Sequence, residues 1–209
     1  MALPSDRSVE SKGAQTRRAI LEAAIARFGR DGYRATSVAD IAREAAVGGT
    51  VAYAYFPSKE ALFLAAVDED AAGVIHEGLA RTFGDPRAPD WWQTLVATLV
   101  GALERHPLAR RLLAGLEPEV TARVLEMPAL AELREACAEQ LRREQRAGSV
   151  RPDIDPITIA NGVVSIMLSL LMSVVQLGGD TAAVYGGDIG AVFEAAIGVA
   201  PLAPAKRRG

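Results

Sequence analysis

The sequence predicts an all-α protein in which a small N-terminal head of three helices leads into a longer C-terminal helical bundle. Three observations carry this reading. Half of the 209 residues are hydrophobic, ample for a buried core. Aromatic residues make up only 5% while Ala, Leu, Arg and Glu abound, a composition of helices rather than of sheets. Apolar side chains recur at three- and four-residue steps, interrupted by short Gly and Pro breaks.

Residues 1–13 are polar, lack the apolar stretch of a signal peptide and read as a disordered arm. Thr16 is placed to cap a first helix running to about Asp31, whose Ile20, Leu21, Ala24, Ile25 and Phe28 share one face, with Gly32 as its stop. Ser37 opens a short second helix, with Asp40 three residues on as in a capping box and Val38, Ile41, Ala42 and Ala45 as the inner stripe. Gly48 and Gly49 break it, a third helix covers about Thr50 to Phe56, and Pro57-Ser58 caps a fourth from Lys59 to about Ala80. Residues 14–60 thus form the head and 61–200 the body.

In the body, residues 85–89 read as a loop, after which Asp90 with Gln93 caps a helix from Trp91 to about His106. Pro107, Pro118 and Pro128 punctuate shorter helices up to Ala147. Residues 151–156 form a turn in which Asp155 caps and Pro156 takes the first helical position, and two long helices follow at about 156–177 and 183–199. The first of these carries Thr158, Asn161, Ser165, Ser169, Ser173 and Gln176 along one narrow strip, which favours a bundle or dimer-interface helix over a membrane span. The last presents Ile189, Val192, Phe193, Ala196, Ile197 and Ala200 on a face fit to pack against it. Gly178-Gly179-Asp180 and Gly186-Gly187-Asp188 read as helix-end turns, and 201–209 as a disordered tail.

Charge narrows the function. The net charge is −3, yet the first 60 residues carry nine Lys/Arg against seven Asp/Glu, so affinity for phosphate belongs to the head. One cysteine, Cys137, excludes an internal disulfide and suits a reducing cytoplasm. Two separate histidines, His76 and His106, make no metal cluster, and each reads as exposed or hydrogen-bonded. No nucleophile elbow or phosphate loop is present, which argues against an enzyme, and no cofactor is implied.

The second and third helices read as a helix-turn-helix. At 100° per residue, Ala52, Tyr55 and Phe56 fall on one side of the third helix, with Gly49, Thr50, Tyr53 and Ala54 on the other. One face serves the core and the other a DNA groove. Thr50 can meet a thymine methyl or donate a hydrogen bond, and Tyr53 can donate to a phosphate. Lys59 and Ser37, at helix starts, are phosphate-contact candidates. Arg17 and Arg18 either add charge-based contacts or are ordinary solvated surface.

The run from Ala45 to Leu62, together with Ile20 to Ala24, Phe28, Gly32-Tyr33, Thr36-Ser37-Val38 and Asp40-Ile41-Ala42, resembles the head of TetR-family regulators in order and spacing. Beyond residue 65 only the helical layout and the Arg151-Pro152-Asp153 turn are similar. The resemblance implies that Tyr53 and Lys59 hold phosphates, that Gly49, Thr50 and Tyr55 lie at the groove, and that Ser37 anchors the preceding helix. Gly48 departs from the family's frequent capping Ser, Thr50 from Gly or Pro, Ala39 from a base-reading Arg, and Ala52 from a larger aliphatic. The resemblance also implies a homodimer on double-stranded DNA, joined through the last two long helices and usually a repressor. Each body would hold a small-molecule pocket.

Pocket candidates are Trp91, Trp92, Leu95, Leu99, Met127, Cys137, Met167 and Leu170, all of which equally suit bundle filling. The effector they imply is largely apolar. The competing reading is a helix-turn-helix repurposed for protein contacts, betrayed by indifference to salt and to changes at Tyr53 or Lys59.

Overall fold

A computed structural model describes residues 11–83, 91–121 and 126–198, and these are all-α. The head comprises α1 (Lys12–Ala35), α2 (Val38–Glu44) and α3 (Gly49–Tyr55). The long α4 (Lys59–Phe83) runs from the head into the body. There it meets α5 (Trp91–Ala102), α6 (Pro107–Leu113), α7 (Pro118–Thr121), α8 (Pro128–Ala147), α9 (Pro156–Leu177) and α10 (Asp180–Ile197).

Local chemistry fixes most helix ends. Ser37 accepts from the Asp40 backbone N–H at 3.2 Å, Ser58 from that of Ala61 at 3.0 Å, and Asp155 from that of Thr158 at 3.0 Å. Each hydroxyl or carboxylate satisfies a donor that its helix start would leave orphaned. Gly148, at φ +78°, ends α8 in the left-handed conformation.

Several boundaries differ from the sequence reading. Ser11, which accepts from the Ala14 N–H at 3.2 Å, caps α1 in place of Thr16, whose hydroxyl instead bonds back to the Lys12 carbonyl. The first helix therefore starts at Lys12, inside the expected arm. Gly32 does interrupt it, at φ +82°, but one more turn follows to Ala35. The Ser37 hydroxyl donates a hydrogen bond to the Asp40 carboxylate at 2.6 Å, so the pair is a side-chain contact added to the cap. The α5 helix stops at Ala102, because His106 and Pro107 already begin α6. Gly186 and Gly187 lie inside α10, where packing of Ile189 and Phe193 on the body overrides the low helix propensity of glycine. The expected cap at Asp90, the 85–89 loop, Ala200, the tail and residues 1–10 fall outside the described residues.

Two apolar cores result. In the head, Ile20, Leu21, Ala24 and Phe28 of α1 close on Val38, Ile41 and Ala42 of α2, Ala52 of α3, and Leu62, Phe63 and Ala66 of α4. In the body, α5, α8 and α9 supply Trp91, Leu95, Leu99, Leu133, Cys137, Leu141, Val164 and Met167, and Phe193 of α10 meets Trp91 edge-on at 5.7 Å between centroids. The short α6 belongs to both: Leu108 and Leu112 enter the head core, Ala109 and Leu113 the body core.

Candidate nucleic-acid interface

The third helix is held by its back. Ala52 and Phe56 are buried in the head core and Tyr55 is half-buried, while Gly49, Thr50 and Ala54 are exposed. Tyr53 is 52% exposed. The two faces inferred from helical phase are therefore the faces observed, with hydroxyls and small residues outward. Ala52, where a larger aliphatic is usual in the resemblance, is fully buried in the head core. Gly48 makes no side-chain cap, as its missing side chain requires, and the turn before it places Ala46 at φ +55°.

Of the candidate phosphate contacts, Ser37 and Lys59 stand at the starts of α2 and α4, whereas Arg17 and Arg18 lie in the second turn of α1. Ser37 is exposed but its hydroxyl already serves α2 and Asp40. Lys59, half-buried at the start of α4, holds its ammonium 4.4 Å from the centroid of the Tyr33 ring, and the Arg17 guanidinium stands 5.0 Å from that of Phe56. Both are cation–π contacts that orient a charge on the head surface. Arg18 lies 3.9 Å from Glu22 in an exposed pair. These aromatic partners of Lys59 and Arg17 come from distant positions in the chain, and no sequence signal marks them.

The body candidates separate into three groups. Leu99, Met127 and Met167 line a cavity of about 60 Å³ between α4, α5, α6, α8 and α9, walled entirely by apolar side chains. Trp92, Met167 and Leu170 line a groove of about 330 Å³ between α5, α9 and α10. Trp91, Leu95 and Cys137 are buried filling that lines neither, and burial pushes the Cys137 thiol up to about 12. Met127 also belongs to the head core.

The α9 helix is long and apolar enough to cross a membrane by composition, but its outward residues include Thr158, Asn161, Ser165 and Ser169. Ala160, Val163, Val164, Met167, Leu170, Leu171 and Val174 of this helix are buried in the body, while Ile157, Ile166 and Leu177 are exposed beside the polar strip. Its serine hydroxyls bond back to carbonyls one turn earlier at 2.8–3.0 Å, leaving a narrow, self-satisfied strip. The α10 face expected to cover α9 is split: Phe193 is buried, but Val192 is 66% exposed and Ala196 is exposed.

Residues 20–66 match the family model described as bacterial regulatory proteins, tetR family. The chain is 31% identical over 160 residues to the A-factor receptor protein of Streptomyces griseus, covering 75% of this chain and 54% of that one, so it spans about half the relative's length. A TetR transcriptional regulator from Chloroflexus aurantiacus shares the fold with a TM-score of 0.68 at 24% identity, over 90% of this chain and 99% of that one. Thermus thermophilus FadR, a TetR-family repressor in complex with lauroyl-CoA, gives 0.63 at 23% identity, over 90% and 98%. The helix-turn-helix of residues 20–66 is therefore that of the tetR family of bacterial regulatory proteins, and the all-α frame around it has the fold of solved TetR regulators.

Proposed function

We propose that the protein is a ligand-responsive repressor that binds a palindromic operator as a homodimer in the cytoplasm and is released by a small, mostly apolar effector. The observation that carries this is the third helix, locked into the core by Ala52 and Phe56 while Thr50 and Tyr53 face outward. Tyr53, Lys59 and Ser37, with Arg17 and Arg18, position the head on phosphates, and Gly49, Thr50 and Tyr55 approach the bases. Because that face is small and uncharged, specificity rests on Thr50, Tyr55 and DNA shape more than on bidentate base readout.

Exposed Ile166 and Val192 beside the small-residue strip support pairing through α9 and α10. The apolar cavity supports an apolar effector, and the likeness to a protein named a receptor and to one seen with lauroyl-CoA supports the binding of a small molecule. At about 60 Å³ the cavity is far below the roughly 300–1,000 Å³ of drug-sized sites, so an effector must displace its walls. Displacement is itself the signal: two heads about 34–36 Å apart read successive grooves, and a ligand favouring another separation weakens binding.

Selection of bound sequences from a random duplex pool, followed by salt titration of the winner, tests the reading. A pseudo-palindrome emerges, bound more weakly as salt rises. Failure to enrich any sequence, or affinity unchanged over about a fourfold rise in salt, overturns DNA recognition and favours a protein-contact module.

A further inference from the structure

Asp70 of α4 is 4% exposed and holds the start of α6 from outside it. It accepts from the backbone N–H groups of Leu108 at 2.9 Å and Ala109 at 2.8 Å, and its other oxygen lies 2.8 Å from Nδ1 of His106. Two turns along α4, Glu77 stands 3.1 Å from Nε2 of the same ring and also pairs with Arg105. Between them Gly73 lets the imidazole lie against the helix, since a Cβ there would come within 2.3 Å of the ring.

The ring is thus clamped between two carboxylates. An ionised carboxylate only accepts, so both contacts are hydrogen bonds only when both ring nitrogens carry a proton. A neutral ring serves one oxygen and turns a lone pair on the other. The Glu77 carboxyl, held down to about 2 by Arg105 and then His106, stays an acceptor throughout the range in which imidazole titrates.

We propose that Asp70, His106 and Glu77 form a proton-linked latch: protonated His106 pins α6, which walls the cavity and enters the head core, to α4, and loss of the proton releases the Glu77 side. The charged groups facing the ring are Asp70 and Glu77 from α4; Glu104 and Arg105 precede it in the loop, exposed Arg110 lies one turn along α6, and α1 meets this corner through Gly29 packed on Pro107. The two backbone bonds of Asp70 hold in both states, so the latch loosens α6 without freeing it. Its consequence for DNA binding rests on the function proposed above; the latch itself does not.

The full chain has only two histidines, which makes the test clean. Thermal midpoints are compared between about pH 5.5 and about pH 8.5 for wild type, His106→Gln, Glu77→Gln and His76→Gln. Glutamine, with one donor edge and one acceptor edge, mimics the neutral ring. Wild type exceeds His106→Gln by about 2–4 °C at the acid end, and the gap closes at the alkaline end. Glu77→Gln flattens the profile likewise, and His76→Gln retains it. Identical wild-type and His106→Gln profiles, or a gap constant across the range, overturn the latch. Operator affinity of His106→Gln relative to wild type shifts at least threefold between the two ends; a constant ratio removes the regulatory consequence. If wild type binds no operator at any pH, the proposed function fails while the stability profiles still decide the latch.

Discussion

Tyr53 is half exposed on a helix whose opposite side is sealed by Ala52 and Phe56, so its ring contributes little to the core and its hydroxyl is presented outward. Tyr53→Ala is expected to leave the thermal midpoint within the small range typical of surface changes and to weaken binding of the selected operator and of unrelated duplexes alike, by about 5–10-fold if one phosphate hydrogen bond is lost. Tyr53→Phe reproduces the loss if the hydroxyl makes the contact. Unfolding of Tyr53→Ala shows instead that the ring was core. The outward set was legible because a helix of known phase divides its residues by geometry alone. The aromatic perches of Lys59 and Arg17 were not, since Tyr33 and Phe56 reach them only through the tertiary fold.

At the scale of elements, Gly32 shows why a local signal can be right about position and wrong about purpose. The sequence marks it as a helix stop, and its φ of +82° does break α1. The structure adds a close approach: a Cβ at Gly32 would stand 2.3 Å from an Arg111 guanidinium nitrogen and 2.9 Å from the Glu117 carboxylate. That carboxylate accepts from Arg111 at 2.7 Å and from the Tyr33 backbone N–H at 3.1 Å, tying the end of α1 to the segment after α6. Gly115 shares the positive φ, at +73°, but a Cβ there meets nothing within 4 Å. Gly115→Ala is expected to cost about 1 kcal/mol, the backbone penalty alone, and Gly32→Ala about 2 kcal/mol as Arg111 gives way. Chemical denaturation of the two variants measures the difference, and equal costs mean that the Arg111–Glu117 contact contributes nothing. The same distinction explains α10: Gly186-Gly187 carries a turn signal, but helix formation there is decided by Ile189 and Phe193 docking on the body, a long-range contact outside any local window.

At the scale of the molecule, what a single chain leaves uncovered decides how two would meet. Along α9, Ile166 is 46% exposed between Ser165 and Ser169, and Val192 of α10 stands 66% exposed across the groove floored by Trp92. In the proposed homodimer, large apolar side chains beside a strip of small residues would let a second pair of helices approach closely and bury them, as the self-matching patch of a two-fold interface requires. Ile166→Asp places a charge at the centre of that patch. It is expected to leave the monomer folded, because the side chain is half in solvent already, while burial in the dimer would carry the unpaired charge out of water. Sedimentation at micromolar concentration then shows a monomer for the variant and a dimer for wild type. Operator binding separates the roles further. A full palindrome engages both heads of one dimer, and losing the linkage removes an effective-concentration gain of about 10²–10⁴-fold, whereas affinity for an isolated half-site stays unchanged because α3 is untouched. An Ile166→Asp protein that remains dimeric moves the interface away from α9, and one that is monomeric yet binds the palindrome as tightly as wild type removes the dimer from operator recognition.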